Sequence, residues 1–235
     1  MEIFSQLHPL RVKRLKRYIA RLPGLVGYWP LWEGDGATAR NYAPANLNTY
    51  NGEITGATLG VEGKVGRAFS FDGIGDYIVF TGFPVPTTTL SVGFIYRRTA
   101  ANDAVDRVLD WQDSGPEDGF TFMHPSADPN LLQFTIRNGT TTVASISGDA
   151  MTLNQWYMFV GTYEVDNVVY YQDGVSKGTD SIATMVGADA TLTAMVRAGG
   201  TGNPTTGGLQ HMFVVNGVLT AAQVLRLAQI AGVAA

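Results

Sequence analysis

The 235 residues include no cysteine, so the chain has no thiolate nucleophile, no thiolate metal site and no disulfide framework. Chemistry would have to come from carboxylates, histidines or exposed aromatics. The three histidines, His8, His124 and His211, lie far apart and follow neither a metal-protease nor a triad spacing, so each reads as a surface or hydrogen-bonded residue. A retaining glycoside hydrolase needs two carboxylates about 5 Å apart, one as nucleophile and one as acid. Of the six glutamates, neither the one in Glu33-Gly34-Asp35 nor the one in Glu164-Val165-Asp166 is followed by a second at a suitable distance. Gly199-Gly200-Thr201-Gly202 opens no helix and there is no phosphate-loop lysine motif, which leaves nucleotide binding unsupported. Asp103, Asp106, Asp110, Asp113, Glu117 and Asp118 carry oxygen ligands suited to a hard cation, although a solvated acidic loop is the simpler reading. The chain is therefore expected not to be an enzyme.

The elements that would position any site are mostly strands. Charged residues make up 15% of the chain against 45% in the hydrophobic set, too apolar a balance for disorder. No apolar run approaches the roughly 18 residues of a membrane span, so a soluble protein is expected. From Leu25 to about Leu219, short apolar or alternating runs are separated by glycine, asparagine and aspartate turns. Strands are predicted over 25–31, 66–71, 76–80, 89–98, 106–111, 120–123, 131–137, 142–147, 156–163, 167–172, 191–197 and 208–216. Asn138-Gly139 and Asp173-Gly174 have the residue types that hairpin turns with positive φ require. Asn138-Gly139-Thr140 is also a glycosylation sequon, read here as a turn. Thr220 and Gln223 form a capping box ahead of a short C-terminal helix carrying Val224, Leu227 and Ile230. Alternation with hairpins implies an all-β fold, two antiparallel sheets packed face to face.

The first 23 residues differ in kind. They hold six of the 16 basic residues and one of the 20 acidic ones, so this arm carries plus 5 and the remainder minus 9. It lacks the apolar core of a secretory signal. On a helical wheel Val12, Leu15, Tyr18, Ile19 and Leu22 form one stripe, and Arg11, Lys13, Arg14, Lys16, Arg17 and Arg21 cover the rest. Pro9 suits the first turn of such a helix and Pro23-Gly24 its end. A helix of about 14 residues is marginal alone, so the stripe needs a surface. Another subunit is the expected surface, with the arm's own domain next; an anionic membrane or nucleic acid is less favoured. The organisation expected is a basic arm over 1–23 followed by one domain over 24–235.

Within that domain, Gly24-Leu25-Val26-Gly27-Tyr28-Trp29-Pro30-Leu31, the turn Glu33-Gly34-Asp35-Gly36 and Asn51-Gly52 come in order. They are followed by Gly63-Lys64-Val65-Gly66-Arg67-Ala68-Phe69-Ser70-Phe71-Asp72-Gly73-Ile74-Gly75-Asp76-Tyr77-Ile78, Trp156 to Tyr163, and Tyr170-Tyr171-Gln172-Asp173-Gly174. Over about 24–230 this succession resembles the laminin-G-like and pentraxin-like branch of the concanavalin A-like lectin and glucanase jelly rolls. The resemblance implies a jelly-roll sandwich whose core takes Phe69, Phe71, Tyr77, Phe94, Phe134, Trp156 and Phe159. Glucanases of this fold carry E-x-D-x-x-E on one strand, which is absent here. Asp72 and Asp76 match the family's recurrent aspartates and are weak calcium candidates; short carboxylates bonding turn amides are the simpler reading. Relatives often carry acidic residues where this chain has Leu209-Gln210-His211, so no cofactor or metal is expected.

Sugar binding needs an aromatic platform beside hydrogen-bonding groups. Trp32 and Trp111 are the candidates for a glycan platform, while Trp29 and Trp156 fall on family core strands. Two functions are carried forward. One is a non-catalytic assembly protein, a bacteriophage or virus particle surface component of decoration or fibre type, forming homo-oligomers and docked through the arm. Such a protein would be found at the virion surface. The alternative is a carbohydrate-binding, lectin-like module, extracellular without a recognisable signal.

Overall fold

The computed structural model describes residues 2–101, 105–112, 118–187, 191–197 and 202–234, with side chains from Pro9 onward. Asp103, Asp113, Glu117, the side chain of His8 and the glycine-rich stretch 198–201 lie outside the described residues. In chain order the elements are α1 (Glu2–Ile19), β1 (Leu25–Trp29), β2 (Thr38–Ala39), β3 (Gly52–Thr55), β4 (Thr58–Glu62), β5 (Arg67–Asp72) and β6 (Tyr77–Phe80). They continue with β7 (Leu90–Arg98), β8 (Asp106–Gln112), β9 (Gly119–His124), β10 (Gln133–Asn138), β11 (Thr141–Ser147) and β12 (Trp156–Glu164). The last are β13 (Asn167–Gln172), β14 (Val175–Asp180), β15 (Leu192–Ala194), β16 (Thr206–Val215) and α2 (Ala221–Ala231).

All strand pairs are antiparallel. One sheet runs β14-β13-β12-β7-β16-β5-β4, with β1 also pairing β16; the other runs β11-β10-β9-β8-β15-β6-β3-β2. The expected jelly-roll sandwich is therefore what forms, with every predicted strand present. Asn138-Gly139 and Asp173-Gly174 make the two predicted hairpins, Gly139 at φ 62° and Asp173 and Gly174 at 53° and 86°. Four strands escape the alternation: β2 has only two residues, β3 and β4 are short, and β14 is a polar edge strand reading Val-Ser-Lys-Gly-Thr-Asp.

Two apolar layers hold the molecule together. Between the sheets, Trp29, Phe69, Phe71, Phe80, Phe94, Phe122, Phe134, Phe159 and Tyr170 interdigitate, Phe94 meeting Phe122 edge-on at 4.9 Å and Phe122 stacking on Phe134 at 4.7 Å. The second layer covers the outer face of the first sheet. There Leu15, Ile19 and Leu22 from the arm, and Val224, Leu227, Ala228 and Ala231 from α2, bury Tyr28, Ile95, Met158, Val160, Phe213 and Val215. Central strands β7, β12 and β16 are thus buried on both faces, which is why they read as continuous apolar runs rather than alternation.

The arm departs from expectation in two ways. Its helix runs through Pro9 instead of starting there, although proline donates no backbone hydrogen bond. Its apolar stripe does not wait for another subunit: Leu15 and Ile19 are each 1% exposed, against α2 and the sheet. An amphipathic helix joined by a short turn to an apolar sheet face meets that face before any partner. At the other end α2 is closed as predicted, Thr220 accepting from the Gln223 amide in a capping box, and Gly232 ends it at φ 71°. No helix among the described residues is long and apolar enough to cross a membrane.

Candidate functional site

The helices leave one end of the outer sheet face uncovered. Across β12, β7 and β16 a single row there reads Trp156, Arg97, Gly208. The indole of Trp156 reaches over Gly208, where a β-carbon would collide with the ring. Glycine is therefore required by close approach. The Arg97 guanidinium sits over the same ring, 4.8 Å from its centroid, in a cation–π contact. Glu62, Gly63 and Lys64 from the β4–β5 turn close a recess of about 300 Å³ around these groups. Asp173, in the β13–β14 turn, accepts the Met158 amide at 2.7 Å. Burial pushes the Asp173 carboxyl up to about 6; the Met158 amide, Lys177 and Lys64 draw it back, and Asp149 adds a further upward push. The recess thus offers an aromatic ring, two cations and the Glu62 carboxylate.

Trp156 is not in the core where the family resemblance put it. Tyr157, Phe159 and Tyr163 point between the sheets, so Trp156, Met158 and Val160 must point the other way. Tyr77 is likewise only half-buried, whereas Phe69, Phe71, Phe94, Phe134 and Phe159 lie in the core as expected. The strict period of two was the available signal: Phe159 inward dictates Trp156 outward. It was masked because both faces of β12 are apolar.

Of the two tryptophans proposed as platforms, Trp111 is a correction. It is 4% exposed and packs on Phe120 at 5.8 Å, because Leu109 and Trp111, beyond the register shift in β8, face the opposite sheet. Trp32 is half-buried and already partnered, with Tyr42 edge-on at 5.2 Å and the Lys16 ammonium 4.3 Å over its ring. The neighbouring Glu33 is committed too, its oxygens accepting the Trp32 and Arg40 amides at 3.0 Å each.

The aspartates serve the backbone and buried cations. Asp72 accepts the Ile74 amide at 2.7 Å and Asp76 the Asp72 amide at 2.9 Å, the turn role expected of them. Burial raises the Asp76 carboxyl above the usual range. Calcium takes six to eight oxygens. Two carboxylates, each already accepting a backbone amide, do not fit it, and among the described residues no three His, Asp or Glu side chains are placed to hold a metal. Asp106 and Asp110 are not part of a solvated loop. They are buried in β8, Asp106 3.1 Å from Arg98 and Asp110 2.8 Å from Arg107, which also donates to Gln112. Neither arginine was legible as a buried partner, because charge at the end of a strand ordinarily means exposure. Asn138 bonds Thr184 and Val186 and so is used in the turn.

The arm residues divide cleanly. Leu15, Ile19 and Leu22 are buried and Val12 and Tyr18 partly so, while Arg11, Lys13, Arg14, Arg17 and Arg21 are exposed and Lys16 leans on Trp32. The described histidines are internal. His211 lies between Tyr28 Oη at 2.9 Å and the Val65 carbonyl at 3.0 Å, and His124 bonds the Leu131 carbonyl at 2.6 Å.

Solved structures share this architecture at low identity. Domain 4 of a GH43 extracellular arabinanase from Geobacillus stearothermophilus, in complex with arabinotriose, is 19% identical with a TM-score of 0.67, over 87% of this chain and 98% of that one. The ligand binding domain of botulinum neurotoxin serotype D, in complex with N-acetylneuraminic acid, is 10% identical with a TM-score of 0.68, over 92% of this chain and 52% of that one. Trypanosoma rangeli sialidase is 14% identical with a TM-score of 0.64, and this chain spans 38% of it. No curated protein sequence matches the chain. A laminin-G family model, described as concanavalin A-like lectin/glucanases superfamily, matches residues 72–225. With that match covering most of the sandwich, from the Asp72 turn into α2, the chain belongs to the concanavalin A-like lectin and glucanase superfamily, in a laminin-G family.

Proposed function

We propose that this lectin-like domain is a non-catalytic glycan-binding module whose platform is Trp156. The observation that carries the reading is a half-buried indole at the mouth of a recess, flanked by Arg97, Lys64 and Glu62. A pyranose has apolar faces that stack on an indole and polar edges that hydrogen-bond to such side chains. The bound arabinotriose and N-acetylneuraminic acid of the two similar structures are consistent with a sugar ligand. The test is a glycan array spanning neutral arabinose oligomers and sialylated chains, followed by calorimetry on Trp156→Ala and Arg97→Ala. Binding by the native chain, and its loss in the tryptophan variant with the fold retained, is the expected result. An array without binders, or a Trp156→Ala variant that binds unchanged, overturns the proposal.

Assembly on a virus particle surface is the second reading, carried by an arm of plus 5 on a body of minus 9. With Leu15 and Ile19 buried in their own chain, attachment falls to the basic face of the arm. Light scattering on the full chain tests it: a defined oligomer is expected, and a strict monomer at tens of micromolar (about 10–100 μM) sinks it.

A further inference from the structure

The groove between α1 and α2 is a second concentration of polar chemistry, separate from the Trp156 recess. It has a volume of about 710 Å³ and is lined by Arg14, Arg17, Arg21 and Arg226, with Arg11 at one end and Tyr18 and Gln229 among them. Arg11, Arg14 and Arg17 climb one side of α1 in steps of three residues, about 4.5 Å of axial rise each. Arg21 continues the row beyond the helix end, and Arg226 faces it from α2. Among the described residues no acidic side chain lines the groove. Among the described residues none of the five guanidiniums has a carboxylate partner, the ion pairs being Arg98–Asp106, Arg107–Asp110 and Lys177–Asp149. Arg11 has a local role, lying against the Gly232 cap, where the carbonyl end of α2 favours a cation. Arg226 donates to the neutral Gln229 Oε1 at 3.5 Å, which leaves its charge unbalanced, and Arg14, Arg17 and Arg21 are exposed. Repulsion between unpaired arginines facing each other across a groove opposes the packing of α1 on α2, and an anion seated between them relieves it.

We infer that this groove binds an extended acidic sugar chain, one whose sulfate or phosphate esters are gripped by the arginine row. Guanidinium is planar and weakly hydrated, and its paired N–H groups match the oxygens of such esters. The row suits a linear ligand with repeated charges better than a single ion. Single-stranded nucleic acid fits less well, because it is held by successive aromatic platforms and among the described residues the groove offers only Tyr18. Burial raises the Tyr18 hydroxyl above its usual range, with the Arg226 charge drawing it back. That phenol therefore stays protonated and available to donate. A membrane fits less well too, since a flat bilayer surface does not enter a recess between two helices.

The inference does not depend on the Trp156 recess, and the experiment separates the two. Calorimetry on the full chain would use a size-defined sulfated oligosaccharide, its phosphorylated counterpart, its unesterified form, and a single-stranded oligonucleotide and phosphatidylserine vesicles as competitors. Esterified chains are expected to bind, with an affinity that falls as salt rises, and the unesterified chain not to bind. The sulfated and phosphorylated arms identify which ester is preferred. Arg14→Ala with Arg226→Ala should weaken binding by roughly tenfold or more, as removal of charge-assisted hydrogen bonds does. The melting temperature should hold, and Trp156→Ala should leave this affinity unchanged. Arg17→Lys, which keeps the charge but not the fork, should be weaker than native. No binding of either esterified chain, tighter binding of the oligonucleotide or vesicles, or an unaffected Arg14/Arg226 double variant overturns the inference.

Discussion

Lowering the pH from 6.5 towards 4 should destabilise the fold through its two buried histidines. His211 is 2% exposed and His124 fully buried. In the tautomer that their partners assign, His211 donates from Nε2 to the Val65 carbonyl and accepts at Nδ1 from the Tyr28 hydroxyl. Burial holds that phenol far above its ordinary range, so it remains a donor. Burial brings His211 down to about 4, with the Val65 carbonyl resisting; burial and the nearby Arg98 charge bring His124 down to about 3. An unfolded histidine takes up its proton near 6.5. Above that value neither state is charged and the histidines are silent. Between 6.5 and 4 the unfolded chain binds protons that the folded chain refuses, and stability falls by up to about 1.4 kcal/mol per pH unit for each group. Over that window each histidine removes roughly 3 kcal/mol, and together they approach the whole stability of an ordinary domain, about 5–15 kcal/mol. Asp173 works in the opposite sense below about 6, but it is partly solvated, so its offset is smaller. Urea unfolding at intervals from pH 7.5 to 4.5 measures the slope, and His211→Gln should reduce it by about 1.4 kcal/mol per pH unit. An identical slope in that variant would mean that His211 titrates alike in both states, which is incompatible with the burial described.

Two further outcomes follow from packing and charge. Leu15→Asp should cost roughly 3 kcal/mol or more of stability in the isolated chain, since it places a carboxyl where α1 meets α2 and the sheet, whereas Lys13→Ala should stay within about 0.5 kcal/mol. Equal melting temperatures for the two variants would mean the arm is not packed. Asp173→Asn keeps an acceptor for the Met158 amide and tolerates the positive φ. It should match or exceed native stability at pH 8, where the native carboxylate is ionised against burial, and lose that advantage progressively as the pH falls from about 6 to about 4. A variant clearly less stable at pH 8 would show that the charge itself is needed, through Lys64 and Lys177.

Strand positions were legible where chemistry at a turn and alternation agreed. Asn138-Gly139 and Asp173-Gly174 announce their hairpins because few residue types adopt positive φ without strain, and the Thr220 to Gln223 box fixes the start of α2 to the residue. Strand β14 was not legible, since an edge strand needs only a neighbour to bond to and its sequence shows no apolar face. Asp106 and Asp110 failed for a related reason. Arg98, the partner of Asp106, stands on β7, and Arg107 reaches Asp110 three residues along β8 only because a register shift between Arg107 and Leu109 breaks the strict alternation that would part them.

Trp156 and the arm, the two residue sets on which the proposals above rest, were misread through a single omission. Once the arm is assigned to another subunit, the outer sheet face has no cover, and every apolar residue on β12 must be sent inward. Assign the arm to its own domain, and β12 can be apolar on both sides. Period two then sends Tyr157 and Phe159 into the sandwich and Met158 and Val160 beneath the helices. Trp156 follows Met158 to the outer face, one step past the end of that cover, beside Arg97. The same step that buries Leu15 and Ile19 turns the arginines of α1 towards α2 and creates the groove. The outward tryptophan and the arginine row are therefore consequences of one docking event, the arm on its own sheet.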